Sequence, residues 1–221
     1  MNERILYFDN HLLLINKPAG LLTQPNRLGH PSVEWLAKQW MKKEYAKPGE
    51  IFLEAVHRLD RPTSGLVLFA RSRKALTRLG KQLRERKMNK KYFAIVANQA
   101  ESGEIRSWLL KKDYKTEVVP KGTKGAKEAI LKISVLKELN HYTLLQIDLK
   151  TGRYHQIRAQ LSYLGIPIVG DQKYGSSLFL SDNQIALHHA SLSFDHPITA
   201  KTLFFEAPLP AFFPFTLFYP S

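Results

Sequence analysis

The sequence predicts an α+β fold rich in antiparallel strands. Short apolar runs with β-branched and aromatic residues recur from Ile5 to Ala207. Only three stretches show the 3.6-residue spacing of a buried helix face. No repeat, heptad array or long low-complexity linker interrupts them, so the elements read as one unit.

In chain order, residues 5–8 and 12–16 read as strands joined by a turn at Asp9-Asn10, and Lys17-Pro18-Ala19-Gly20 then breaks the pattern. Ser32 is placed to cap a helix whose inner face is Val33, Leu36, Trp40 and Met41, with Lys47-Pro48-Gly49 as its stop. Val56 to Asp60 leads into a turn over 61–65, followed by a buried strand over 66–70. A second helix follows. Leu76, Leu79 and Leu83 form its inner stripe, and Arg73, Lys74, Arg78, Lys81, Arg84 and Lys87 crowd the remainder. Residues 92–97 and 105–110 read as strands, 111–127 as a basic exposed loop or hairpin, and 129–136 with 142–149 as an antiparallel pair. Thr151-Gly152-Arg153 turns into a third helix with Ile157, Leu161 and Leu164 facing inward. Strands are expected near 186–193 and 203–207, and the Phe-rich tail (Phe212, Phe213, Phe215, Phe218) reads as core packing of a terminal strand.

Composition narrows the function. The 221 residues include no cysteine, which excludes disulfides, Cys-based zinc sites, iron–sulfur ligation and a thiol nucleophile. No stretch approaches the roughly 20 apolar residues that span a bilayer. The start lacks the layout of a secretory signal, so a cytoplasmic setting without membrane contact is expected. Lys plus Arg is 33 against 19 Asp plus Glu, a net +14, and residues 71–127 carry +12 of it. An excess concentrated in one quarter of the chain points to an anionic partner, nucleic acid before membrane, although a solvated charged face also fits.

Three constellations stand out as carriers of chemistry. His57-Arg58-Leu59-Asp60-Arg61-Pro62-Thr63-Ser64-Gly65 has the composition of a tight turn before a strand. It also flanks a carboxylate with two guanidinium groups, which hold it ionised. A permanent carboxylate on a loop between buried strands suits a nucleophile or the stabiliser of a cationic sugar centre. Thr151-Gly152-Arg153-Tyr154-His155-Gln156-Ile157-Arg158 opens a helix with basic and polar side chains, where anions are favoured. His155, Arg158 and Ser162 share one stripe beside the apolar one, which shelters Arg158. Lys90-Lys91-Tyr92 reads either as a strand entry or as an aromatic that stacks on an unstacked base. His188, His189 and His196 lack a metal-ligand spacing, and no GxxxxGK[ST], GxGxxG or GxSxG motif is present, so no metal or nucleotide cofactor is expected.

Taken together, His57-Arg58-Leu59-Asp60 with Thr63-Ser64-Gly65, Lys91-Tyr92, the segment 152–158 and Gly170-Asp171-Gln172-Lys173-Tyr174-Gly175 resemble the RluA family of RNA pseudouridine synthases. Asn16-Lys17-Pro18-Ala19-Gly20, Leu187-His188-His189-Ala190 and Phe194-Asp195-His196-Pro197 resemble its outer motifs, in family order and from Ile5 to about Ala207. The resemblance implies the pseudouridine synthase fold, a mixed, mostly antiparallel sheet with flanking helices and a central catalytic cleft. It also implies one catalytic domain over 1–221 with two subdomains.

The implied reaction converts uridine in tRNA or rRNA to pseudouridine, with the base flipped out of its stack and no cofactor. By motif position Asp60 is the catalytic aspartate, Tyr92 the active-site tyrosine and Arg158 the arginine that pairs with the aspartate. Arg58 matches the residue that fills the space left by the extruded uridine. Arg61, Thr63, Arg153, His155 and Gln156 complete the expected substrate-contacting set. Whether the aspartate attacks sugar or ring, or mainly stabilises an opened glycal-type intermediate, is left open. Two positions depart from the family pattern: Tyr154 replaces a small hydroxyl residue, and Gln160 stands where a histidine is frequent. The expected protein is a compact monomer without the N-terminal RNA-binding module of longer relatives, with the helix over 73–87 and the segment 111–127 on the RNA backbone. Competing readings are an RNA-binding module without turnover, a duplex-DNA binder using 73–87 as a groove helix, and a glycoside hydrolase, which lacks a second acid beside Asp60.

Overall fold

The computed structural model describes residues 1–46, 49–181 and 183–219. It contains two compact units, Met1–Met88 with Ala190–Pro208, and Asn89–His189 with Leu209–Ser221. Lys47 and Pro48, the expected helix stop, lie outside the described residues.

In the first unit β1 (Ile5–Phe8) and β2 (Leu12–Lys17) form an antiparallel hairpin. Asp9 makes the turn: its Oδ1 accepts the amides of His11 and Leu12, each at 2.7 Å. β2 runs antiparallel to β4 (Ser64–Ala70), from Leu12 opposite Ala70 to Lys17 opposite Gly65, and a two-residue strand β3 (Glu54–Ala55) also pairs with β4. Every residue of β4 is buried, as its unbroken apolar run requires. α1 (Val33–Glu44) and α2 (Arg73–Arg84) are capped alike: Ser32 Oγ accepts the amide of Trp35 and Ser72 Oγ that of Ala75, both at 3.2 Å. α1 buries Val33, Ala37 and Met41, while Leu36 and Trp40 are only half-buried, so its inner face is rotated from the expected one. α2 ends at Arg84, one turn short of Lys87. Leu12, Leu14, Leu66, Leu68, Ala75, Leu79, Leu192 and Phe194 form the core of this unit.

The second unit is an antiparallel sheet with strand order β5-β9-β8-β6-β7, so β5 and β6, neighbours in the chain, are not neighbours in the sheet. Its strands are β5 (Asn89–Ala97), β6 (Gly103–Lys112), β7 (Lys115–Val119), β8 (Lys127–Leu139) and β9 (Tyr142–Leu149). The segment 111–127 is a hairpin arm rather than a loop, because β7 zips onto β6 from Trp108 opposite Val119 to Lys112 opposite Lys115. α3 (Gln156–Tyr163) buries Ile157 and Leu161, but Leu164 lies past its end and is exposed.

β10 (Leu187–Asp195) gives its first three residues to this unit and the rest to the first, where β11 (Thr202–Glu206) pairs with it. The aromatic tail forms a short helix α4 (Phe215–Phe218), not a strand. Phe215 and Phe218 are buried one helical turn apart, whereas Phe213 is exposed. Among the described residues no helix is long and apolar enough to cross a membrane.

Candidate active-site residues

The loop carrying Asp60 is anchored on both sides. Before it, Thr23 Oγ1 donates to the Leu59 carbonyl at 3.0 Å and accepts the Leu59 amide at 3.1 Å. After it, the Arg61 carbonyl accepts the Gly20 amide at 2.9 Å, and Arg61 Nε returns a bond to the Gly20 carbonyl at 2.9 Å. The Asp60 carbonyl closes the turn by accepting the Thr63 amide at 3.1 Å. His57 Nε2 accepts the amide of Leu68 at 3.3 Å, which places its proton on Nδ1. Asp60 itself is half-buried, a geometry that neither seals the carboxylate in nor leaves it in bulk water.

Beneath this loop lies Lys17, at 0% exposure the most completely buried charged residue of the unit. Its Nζ donates to the carbonyls of Pro18 at 2.9 Å, Leu21 at 2.7 Å and Arg61 at 3.1 Å, so one ammonium ties the segment 18–21 to the Asp60 loop. Burial pulls the ammonium down to about 7, the Asp60 carboxylate opposes that fall, and the Arg61 guanidinium adds to it. Lys17 was visible only as part of a motif. A lysine ending the apolar run 12–15 just before Pro-x-Gly is the signal that singles it out. Of the other expected residues on this loop, Arg58 and Arg61 are exposed, and Thr63 is buried with its Oγ1 lacking a hydrogen-bond partner among the described residues.

The second unit holds the remaining expected residues. Tyr92 is buried on β5, and its ring stacks on His189 of β10 with centroids 4.4 Å apart and planes inclined at 15°. Arg158, on α3, is buried and makes a fork with Asp171: Nε to Oδ2 at 2.7 Å and the terminal nitrogen to Oδ1 at 2.8 Å. Asp171 is the residue that sequence reasoning left inside a motif without a role. It follows Gly170, whose φ is +86° and where an added Cβ would lie 2.7 Å from Leu180 and 3.0 Å from the Gln184 carbonyl, so only glycine sets this approach.

Around the start of α3, Gln156 accepts from Thr151 Oγ1 at 2.7 Å and from the Arg153 amide at 3.0 Å, and donates to the Ile130 carbonyl at 3.2 Å. It braces the turn that enters the helix. Arg153 Nε donates to the Glu128 carbonyl at 3.0 Å, which lays its side chain along β8. His155 precedes the helix in the left-handed region, φ 52° and ψ 26°, a conformation uncommon outside glycine. Its Nδ1 lies 2.9 Å from the Tyr174 hydroxyl, which accepts the Thr116 amide at 2.8 Å. Burial, reinforced by Arg158 and Lys173, pulls the His155 imidazole down to about 3, so the ring is neutral at physiological pH. Gln160 is buried and donates to Ser107 Oγ at 2.9 Å.

These observations supply a half-buried carboxylate on a cross-braced loop in one unit, and a buried stacked tyrosine and a fixed guanidinium in the other. Residues 11–163 match the model of the RNA pseudouridylate synthase family. The ribosomal large subunit pseudouridine synthase C of Buchnera aphidicola subsp. Schizaphis graminum is 35% identical over 225 residues, covering 96% of this chain and 68% of that protein. The enzyme of the same name from Haemophilus ducreyi is 36% identical over 219 residues, covering 95% of this chain and 66% of that protein. The chain thus spans about two thirds of the length of these relatives. Among solved structures, Human RNA Pseudouridylate Synthase Domain Containing 4 superposes with a TM-score of 0.81 at 24% identity, covering 98% of this chain and 92% of that one. That likeness shows the fold, and the family match with the sequence relatives shows that this chain belongs to the RNA pseudouridylate synthase family, of the RluA type.

Proposed function

We propose that this RNA pseudouridine synthase acts on ribosomal RNA of the large subunit and works through Asp60, with Tyr92 and Arg158 assigned to the same reaction. The observation that carries the assignment of Asp60 is its loop. The backbone on either side of this half-buried carboxylate is held, at Leu59 by Thr23 and at Arg61 by Gly20 and Lys17, so the loop is positioned before any substrate arrives. The names of the relatives at 35–36% identity support ribosomal RNA as the substrate.

In the reaction the bond between uracil N1 and the sugar C1′ breaks, the uracil turns, C5 bonds to the same C1′, the proton from C5 leaves to water, and N1, released from the sugar, takes up a proton from water in its place. Nothing is oxidised or reduced. The carboxylate faces developing positive charge at the sugar or bonds to the intermediate. Tyr92 packs against the turning ring. The Arg158 guanidinium, fixed in orientation by its fork with Asp171, is assigned to balancing the negative charge that develops in the reaction. Extruding the target uridine costs a few kcal/mol, least in a loop, and the exposed Arg58 is assigned to the space it leaves. Arg61, Thr63, Arg153, His155 and Gln156 are assigned to shaping the surfaces on which the RNA lies.

The test is incubation with large-subunit ribosomal RNA tritiated at uracil C5. The parent protein should release tritium to water, and Asp60→Asn should retain RNA binding while release falls by several orders of magnitude. Release by Asp60→Asn at the parent rate overturns the role of Asp60, and release from transfer RNA alone overturns the substrate.

A further inference from the structure

We propose that the second unit carries a stacking platform for one unpaired RNA nucleotide, built on Tyr154 and rimmed by Lys111, Lys115 and Lys173. The inference rests on the RNA substrate proposed above and adds to it the place where a nucleotide of that RNA is held.

Tyr154 is a large aromatic residue at the surface, 38% exposed, in a place that core packing does not account for. Its position is nonetheless fixed. The left-handed turn at His155 folds the two rings together, with centroids 3.9 Å apart and planes inclined at 19°. Beneath, the His155 Nδ1 meets the Tyr174 hydroxyl, and Thr116 fastens the edge twice. Its amide donates to the Tyr174 hydroxyl at 2.8 Å and its Oγ1 to the Tyr154 carbonyl at 2.8 Å. An aromatic ring laid on a buried neutral imidazole is pre-organised, so a base that stacks there meets a surface that loses little side-chain freedom.

The surrounding charge matches a nucleotide. Lys111 Nζ lies over the Tyr154 ring face, 4.9 Å from its centre, so its flexible side chain swings from that face to a flanking phosphate as the base stacks. Lys115 Nζ lies 5.3 Å from the centre of the Tyr174 ring, and Lys173 Nζ 6.0 Å from that of Tyr114, which is 79% exposed near the hairpin tip. The nearby acids are Glu117, which takes up Lys112 at 2.5 Å, Asp171, which is forked to Arg158, and the exposed Asp113. Three ammonium groups around one aromatic cluster suit a base with phosphates on either side. That pairing of aromatic faces with cations is how single-stranded nucleic acid is held without reading its sequence.

The experiment measures binding of the full chain to a labelled single-stranded RNA decamer, to a decamer with one abasic nucleotide, and to duplex DNA. Tyr154→Ala should weaken binding to the intact decamer about five- to 150-fold. Tyr154→Leu, which keeps apolar cover over His155, should weaken it similarly, and Tyr154→Phe should leave it unchanged. The deficit should shrink when the abasic position falls on the platform, and thermal midpoints should stay at the parent value. Parent-like binding by both Ala and Leu variants overturns the proposal. So does an affinity loss that appears only with a lowered melting point, or an equal loss on duplex DNA. Because binding is read without turnover, failure of tritium release leaves this result standing, whereas failure here leaves the assignment of Asp60 untouched.

Discussion

Arg158 and Asp171 meet fork to carboxylate at 2.7 and 2.8 Å, with both side chains removed from water. Removing one member of a buried pair leaves the other charge desolvated, which costs about 3–5 kcal/mol. Asp171→Asn should therefore lower the unfolding free energy read from urea titration by that amount while the far-ultraviolet spectrum of the remaining folded protein stays native. A variant within ~0.5 kcal/mol of the parent would mean that the pair is an accessory to α3 and not its anchor.

Lys17 predicts a different signature, because its ammonium serves three carbonyls at 2.7–3.1 Å inside the protein. Lys17→Met leaves those acceptors unpaired and should destabilise by on the order of 3 kcal/mol. The direction with pH follows from its folded pKa of about 7, below the ordinary 10.5. Below pH 7 both folded and unfolded chains carry the proton and the burial penalty is fully present. Between 7 and 10.5 the unfolded chain keeps a proton that the folded chain has released, so stability rises with pH. Denaturant titrations at pH 6.5 and 9.5 should show the parent gaining on Lys17→Met at the higher pH. A constant gap would contradict the buried ammonium.

Much of this was legible in the sequence where a signal is local. β2, β4 and β9 announce themselves as apolar runs, α2 by its leucine spacing, and the cap at Ser32 by its place before an apolar period. β7 was legible only as one side of an open choice between loop and hairpin, since Lys115-Thr116-Glu117-Val118-Val119 is a strand only through its register on β6. The candidate site divides in the same way. Asp60, Tyr92 and Arg158 sit in recognisable motifs, but Asp171 is joined to Arg158 across 13 positions and Lys17 to the Arg61 carbonyl across 44. Such partnerships exist only once loops converge, and spacing along the chain does not encode them. The Phe tail failed for another reason: Phe215 and Phe218 are a helical turn apart, a period that composition alone conceals.

The basic hairpin arm makes a prediction about salt. Lys111, Lys112, Lys115 and Lys124 are unequal, because Lys112 is engaged by Glu117 whereas Lys111 lies over the exposed ring of Tyr154 and Lys115 over the buried ring of Tyr174. Reversing all four to Glu should weaken RNA binding and flatten its dependence on log salt by about 0.7 for each single-strand phosphate that is no longer neutralised. Reversing Lys112 alone should change the slope least. An unchanged affinity and slope in the fourfold variant would remove this arm from the RNA interface.

His155 makes the pH prediction of opposite range. Burial holds its imidazole down to about 3, with Arg158 and Lys173 adding to the fall, Asp171 opposing it and Lys111 contributing least. In the unfolded chain the same ring titrates at its ordinary 6.5, so between 6.5 and 3 the unfolded state binds a proton that the folded state refuses. Stability from this residue is whole above 6.5 and drains away as the pH falls through that window, with a slope that one proton limits to about 1.4 kcal/mol per pH unit. Asparagine is the informative replacement, because it tolerates the left-handed backbone at φ 52° and does not titrate. Urea midpoints at pH 7 and pH 5 should show the parent losing ground to His155→Asn on acidification. A ring proton resonance that titrates near 6.5 in the folded parent would place the imidazole in water and undo both this prediction and the fixed base on which Tyr154 rests.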